Sequence, residues 1–193
     1  PSMYRNVPFD PISGFVTVAE LAYFPSVLVV HPAGGIENMA AFIAKAKQTP
    51  GAMNYSSSGI GTGAHLAVEL LKLRTGIDIV HVPYTGAGPA TQAVIGKTVH
   101  IGSAAISSVL PFIQSGTLKA LAVSGDQRWP DLPNVPTVQE AGVADAMTET
   151  WLGIFAPAGT PDPIVNRLSE ALKEIVNRPA MGERFRQAGF VAR

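Results

Sequence analysis

The sequence predicts an α/β fold with a parallel-type sheet, and three observations lead there. From Met53 to Val123, apolar strand-like runs alternate with helical stripes. The turns between them are rich in Gly and Pro. And the stretch Met53–Leu71, MNYSSSGIGTGAHLAVELL, reads as a short strand, a tight loop of small residues and a helix. Alternation at this spacing implies parallel strands joined by helices that pack back onto the sheet.

The elements follow in order. Pro1–Asp10 is Pro-rich, polar and without periodicity. Phe15–Ala22 and Val27–Val30 are β-branched and aromatic runs separated by Pro25-Ser26, and predict two strands. Val27–Val30 is apolar throughout, as a strand buried on both faces should be. His31–Gly35 breaks it. Met39, Phe42, Ile43 and Ala46 share a helical face that Thr49-Pro50-Gly51 ends. Met53–Ser57 is the next strand and Ser58–Gly63 a loop; a helix starts near Thr62, with a stripe of Leu66, Leu70 and Leu73 and a stop at Gly76. Ile77–Val82 is a strand closed by Pro83, Gly86–Ile95 a helix, Val99–Ala104 a strand. Ile106–Gln114 is a helix stopped by Ser115-Gly116, and Leu118–Val123 a strand.

Trp129–Pro136, with three prolines, is a loop. Thr137 and Glu140 form a capping box. Thr148–Phe155 is a strand and Ala156–Pro161 a loop. Thr160 caps a helix with Pro161 at its first position, and Ile164, Leu168, Leu172 and Ile175 supply its buried face. Arg178-Pro179 breaks that helix, and a last one runs to about Ala188. There is no internal repeat and no low-complexity segment.

At 193 residues, 47% apolar and 15% charged, the chain has ample core for one or two domains. Lys+Arg 14 against Asp+Glu 14 argues against a nucleic-acid surface, which needs a basic stripe. It leaves room for a small anion held by backbone amides. No apolar run reaches the roughly 18 residues of a membrane span, and the start carries no signal-peptide pattern. With no Cys, disulfides and Cys-ligated metals drop out.

Gly59, Gly61 and Gly63 permit positive φ and close approach of a ligand to the backbone. The helix behind them points unpaired N–H groups and its positive dipole end into the same space. The loop is either a phosphate or carboxylate site built from main chain or a strand-to-helix turn without a ligand. Val82–Ala90, VPYTGAGPA, repeats the arrangement. In a parallel sheet both loops line one crevice, where Tyr84 offers a ring and a phenol or simply packs over the sheet edge.

Residues 59–64 also fit the loose G-x-G-x-x-G/A dinucleotide fingerprint. Asp78, however, stands at the beginning of its strand, where a ribose carboxylate must stand at the end. Ser56, Ser57 and Ser58 with His65 and His81 nearby suggest a serine nucleophile, but there is no G-x-S-x-G elbow and His65 lies inside a helix. The four His (His31, His65, His81, His100) show no H-x-x-x-H pair and no clustered carboxylates, so no metal site is expected. His81 and His100 suit satisfied core or sheet-edge positions. No cofactor is implied.

Several long motifs appear in order: VPFDP (7–11), SVLVVHP (26–32), PGAMNY (50–55), SSGIGTGAHL (57–66), HVPYTGAGPA (81–90), GTLKALAV (116–123), LPNVPTVQEAG (132–142) and WLGIFAPAGTP (151–161). Together they resemble the solute receptors of tripartite tricarboxylate transporters, also called the Bug family, over almost the whole chain. The resemblance implies a periplasmic-binding-protein-like (type II) fold of two α/β lobes joined by crossover strands. Residues 1–31 and 151–193 would belong to domain 1, and residues 32–150 would form domain 2, a complete lobe. It implies a periplasmic receptor, not an enzyme, that binds a small carboxylate and passes it to membrane subunits. The candidate ligand-binding residues are Ser57, Ser58, Gly59, Gly61, Thr62, Gly63, Tyr84, Thr85, Gly86 and Ala104.

Family members also carry a leader, a strand and a P-x-G-P-G-G-type loop before this region, and a strand and helix after it. The chain is therefore expected to be a receptor lacking both ends. Phe15–Ala22 and Ile164–Ile175 would then lack sheet partners, which favours self-association. Where the family commonly has Asp and polar residues, His100 and Ser103-Ala104-Ala105 stand. The reading from a different class is an α/β enzyme fragment that uses Ser58 or a nucleotide.

Overall fold

A 16-residue strand, β1 (Phe15–Val30), belongs to both of the compact units into which the chain divides. The computed structural model describes Met3 and residues 6–193, so Pro1, Ser2, Tyr4 and Arg5 of the Pro-rich opening lie outside the described residues. One unit is Pro25–Thr150; the other joins Pro1–Phe24 to Trp151–Arg193. The chain passes between them at Phe24/Pro25 in β1 and at Thr150/Trp151 in β6 (Glu149–Pro157).

The sequence suggests two strands broken at Pro25-Ser26, and this is corrected: one strand runs through. Pro25 has no N–H to give to a ladder. It falls where the partner changes, between the β7 pairing at Ala22 and Tyr23 and the β4 pairing that starts at Ser26. The next N–H, of Ser26, goes to Ser124 Oγ at 2.9 Å.

In Pro25–Thr150 the elements are α1 (Met39–Gln48), β2 (Met53–Ser57), α2 (Gly63–Thr75), β3 (Ile79–Pro83), α3 (Ala87–Ile95), β4 (Ile101–Ala105), α4 (Ile106–Gln114) and β5 (Lys119–Val123). The sheet order is β3-β2-β4-β1-β5. β2 pairs with β3 and β4 in parallel, while β1 runs antiparallel between β4 and β5. The alternating pattern alone suggests four neighbouring parallel strands; the insertion of β1 makes the sheet mixed. Val27, Val29 and Val30 are fully buried there, which accounts for their unbroken apolar run.

One face of the sheet carries a core of Met39, Phe42, Tyr55, Val68, Leu71, Ile79 and Ile101. The stripe expected on α2 is the wrong one. Leu66 and Leu73 are exposed, Leu73 at 75%, and α2 buries Ala64, Ala67, Val68 and Leu71. Ala64 and Ala67 let the first turns of the helix sit close to the strands, Val68 and Leu71 fill the core, and Leu66 and Leu73 turn outward. On the other face Gly102 makes room for α3, since a Cβ there would meet Val94 Cγ2 at 2.6 Å.

The capping box is present: Thr137 N–H donates to Glu140 Oε2 at 2.8 Å and Glu140 N–H to Thr137 Oγ1 at 3.1 Å. It closes a turn that does not lengthen into a helix.

In the other unit, the first half of β1 pairs with β6 and with β7 (Val191–Ala192). The helices are α5 (Asp162–Val176) and α6 (Pro179–Gln187). Two expectations change here. Thr160 does not cap α5; its hydroxyl donates to Pro157 O at 2.7 Å, and the cap position, Pro161, makes no side-chain bond. Ile164, Leu168 and Ile175 are exposed. The packed side of α5 is Val165 and Leu172 against Val16, Val18 and Ala156, with Val176 also buried.

Candidate functional site

The chain leaves β2 for β3 on one side and later enters β4 on the other. Such a switch opens a crevice at the carboxyl ends of the two central parallel strands, here β2 and β4. Three helices, α2, α3 and α4, start at that edge because each follows a parallel strand.

The β2–α2 turn can be built bond by bond. Gly59 and Gly61 take φ of 137° and 81°, values that side chains rarely adopt. Thr62 is the N-cap of α2: its Oγ1 accepts from His65 N–H at 3.4 Å and donates to Gly59 O at 2.8 Å. Gly59 N–H donates to Ser57 Oγ at 3.2 Å, and that hydroxyl donates to Gly59 O at 3.1 Å. Gly61 N–H donates to His65 Nδ1 at 3.2 Å. After these bonds, the N–H groups of Gly63 and Ala64 at the start of the 13-residue α2 have no acceptor among the described residues. They face the space where an anion gains most from the helix end.

The second loop lies against the first. Tyr84 N–H donates to Ser57 O at 3.1 Å, and a Cβ on Gly59 would stand 3.5 Å from Tyr84 O. Gly86, with φ 118°, precedes α3 without any side-chain cap, and Ala87 and Gly88 N–H likewise have no acceptor among the described residues. Thr85 is exposed and Tyr84 half-buried. The structure thus brings Ser57–Gly63 and Tyr84–Gly86 together. Ala104 is buried opposite Val27, on the sheet face that α3 covers. The residue turned to the α2 face at that strand end is Ser103, whose hydroxyl is buried with no partner among the described residues.

Two further groups enter the site from outside both loops. A Cβ on Gly63 would fall onto Thr150 Oγ1, so this hydroxyl occupies the room that the missing side chain leaves at the start of α2. Beneath the loop, Ser57 Oγ lies 2.7 Å from His81 Nε2. His81 stacks on Tyr55 at 4.7 Å and on His65 at 4.2 Å. Tyr55 OH donates to Glu69 Oε1 at 2.7 Å, and Lys72 Nζ lies 2.9 Å from the same oxygen. Burial, then the Glu69 bond, raises the Tyr55 phenol. Burial opposes ionisation of Glu69, but the bonds from Lys72 and Tyr55 outweigh it and hold its carboxyl below the usual range. Burial, then His65, lowers His81.

The serine and histidine chemistry weighed from sequence can now be placed. The serine paired with histidine is Ser57, not Ser58, and it is fully buried with its hydroxyl already bonded to Gly59. Such a serine cannot meet a carbonyl carbon. Asp78 stands just before β3, at the edge away from the crevice. Among the described residues no three His, Cys, Asp or Glu side chains gather as a metal would need. Nothing in the sequence pattern marks Thr150, since a threonine entering a strand is unremarked. His81 had a signal in the HVP at the end of a neighbouring strand, in register with Tyr55.

The chain belongs to the tripartite tricarboxylate transporter family receptors, whose family model matches residues 1–192. A Pseudomonas sp. (strain P51) relative, the UPF0065 protein in the tcbD-tcbE intergenic region, is 35% identical over 97% of this chain. The chain spans 56% of that relative's length. Among solved structures, R. palustris Rpa4515 with adipate superposes at TM-score 0.90, with 32% identity, over 98% of this chain and 63% of that one. MatC (Rpa3494) from Rhodopseudomonas palustris with bound malate gives 0.86, with 27% identity, over 98% and 65%.

The Gly63 contact generates a stability prediction. Gly63→Ala forces its methyl onto Thr150 and is expected to destabilise the chain by about 1–3 kcal/mol, read as a lower urea midpoint. Thr150→Ala in the same chain restores most of that loss. Equal losses with and without the Thr150 hydroxyl would show that the two residues are not in contact.

Proposed function

We propose that the chain is the larger part of an extracytoplasmic solute receptor that holds a small carboxylate at the start of α2 and serves a tripartite transporter. On this reading Pro25–Thr150 is one lobe, and the unit of Pro1–Phe24 and Trp151–Arg193 is part of the other. The carrying observation is the pair of open amides at Gly63 and Ala64, at a helix end with Thr150 Oγ1 beside it. The remaining candidate contacts are Ser58, Tyr84, Thr85 and Gly86; Ser57, Gly59, Gly61 and Thr62 shape the turn. Relatives solved with adipate and with malate support the ligand class. Membrane subunits as partners and a periplasmic site of action follow from the family's role. Among the described residues no helix is long and apolar enough to cross a membrane.

Two charge-assisted amide bonds amount to about 3–6 kcal/mol, before the ordering costs of association. This unit alone should therefore bind in about the millimolar range. The competing hydrolase reading rests on Ser57 and His81, and the burial of Ser57 opposes it. Self-association belongs to the same proposal, because Trp151, Phe155, Ile164 and Leu168 leave apolar surface exposed; sedimentation that stays monomeric with rising concentration would remove it.

Calorimetric titration with adipate and malate, against the corresponding diamides, tests the function. The diacids should bind and the diamides should be at least about tenfold weaker, since a neutral amide gains little from the helix end. Equal binding of both, or turnover of an activated ester that Ser57→Ala abolishes, would contradict the receptor reading.

A further inference from the structure

We propose that His65 and His81 are positioning residues for the ligand turn: the two rings hold Gly61 and Ser57, and a proton on His65 Nδ1 releases Gly61, loosens the turn and weakens carboxylate binding. The inference rests on the receptor reading for its ligand, but the brace itself is a property of the free chain.

The turn is held at two points by stacked imidazoles. Gly61 N–H donates to His65 Nδ1 at 3.2 Å, so that nitrogen must carry a lone pair. A proton on Nδ1 sets two donors face to face, and the bond is lost. His81 Nε2 lies 2.7 Å from Ser57 Oγ at the base of the same turn; with the Ser57 proton on Gly59 O, Nε2–H is the donor, and this bond survives protonation of the ring. The rings are 4.2 Å apart at 27°, so charging both sets two cations in contact. Histidine is the side chain whose ordinary range makes this change between about pH 5 and 8.

The groups that face the pair are few. α2 contributes Glu69 and Lys72 beside His65, and β2 contributes Tyr55 under His81. β4 and α3, IGSAA and AGPATQAVI, contain no titratable residue. Burial first, then His65, lowers His81; Glu69 opposes and Lys72 adds to the shift. The sign follows. A depressed histidine contributes stability that is present above the ordinary imidazole range and is lost as pH falls through its lowered value.

Acidification also brings positive charge near an anion site, which works in the other direction. Once it loses Gly61, the half-buried His65 ring can turn to water, where a screened exposed charge is worth about fivefold in affinity at most. Re-ordering even two loop residues on binding costs about thirtyfold. The loss therefore exceeds the gain, and affinity falls by about fivefold or more.

The test compares the full chain with His65→Asn, whose Oδ1 keeps an acceptor near the Nδ1 position but does not titrate. Malate affinity is measured from pH 7.5 to 5.5, and the probe's own ionisation cancels between the two proteins. Wild type should lose about fivefold or more relative to His65→Asn, and the Gly61 amide resonance of the free wild-type chain should titrate over the same range. Parallel malate profiles, or a Gly61 amide that does not move, would overturn the proposal. Absence of malate binding to either protein at pH 7.5 would instead overturn the receptor reading, and a titrating Gly61 amide would still report the brace.

Discussion

On the receptor reading proposed above, a few backbone N–H groups at the β2–α2 turn set what this molecule binds. A buried or half-buried amide needs an acceptor, and the turn supplies acceptors to Gly59, Gly61, Thr62 and His65 from Ser57, His65, Gly59 and Thr62. These bonds hold the positive φ of Gly59 and Gly61, which glycine adopts easily, and the cap that the Thr62 hydroxyl provides. The result is a bonded turn after which the first two helical amides have no acceptor among the described residues. A rigid pair of open donors at a helix end is the arrangement a carboxylate completes, because the donors need no reorganisation when it arrives.

The sheet exists to hold that turn in place. β1 enters antiparallel between β4 and β5, placing its all-apolar Val27–Val30 segment beside the short strands. Ser124 then ties together the segments that lead into and out of the unit. Its hydroxyl accepts from Ser26 N–H and donates to Thr148 O at 2.6 Å, and its N–H donates to Ser26 O at 2.8 Å. Thr150 stands two residues beyond Thr148, and its hydroxyl fills the gap beside Gly63. The position of the β2–α2 turn thus depends on a clasp formed by residues distant from it in sequence.

Local signals reached the local structure. β2 and α4 fall at Met53–Ser57 and Ile106–Gln114 as their patterns indicate, and the capping box at Thr137 and Glu140 forms. Errors arose where tertiary context decides. Pro25 looks like a strand break, yet a strand changing partners has one position at which an N–H is dispensable. On α2 and α5 the leucines and isoleucines suggest the core face, but the packed sides are Ala64, Ala67, Val68 and Leu71 on α2, and Val165, Leu172 and Val176 on α5, so that of the expected α5 stripe only Leu172 packs inward. In the site, the glycine spacing marks the turn and Thr62 its cap. What remains hidden is which amides are already taken, since that depends on where His65 points, and on His81 and Thr150 arriving from other elements.

The central claim is that Gly63 and Ala64 N–H, rather than Gly59 or Gly61 N–H, receive the carboxylate. Amide-resolved NMR of the chain titrated with adipate measures this directly. The account predicts saturable shifts that are largest at Gly63 and Ala64, with Gly61 little moved while its bond to His65 persists. Saturable binding whose largest shifts lie away from the start of α2 would contradict it.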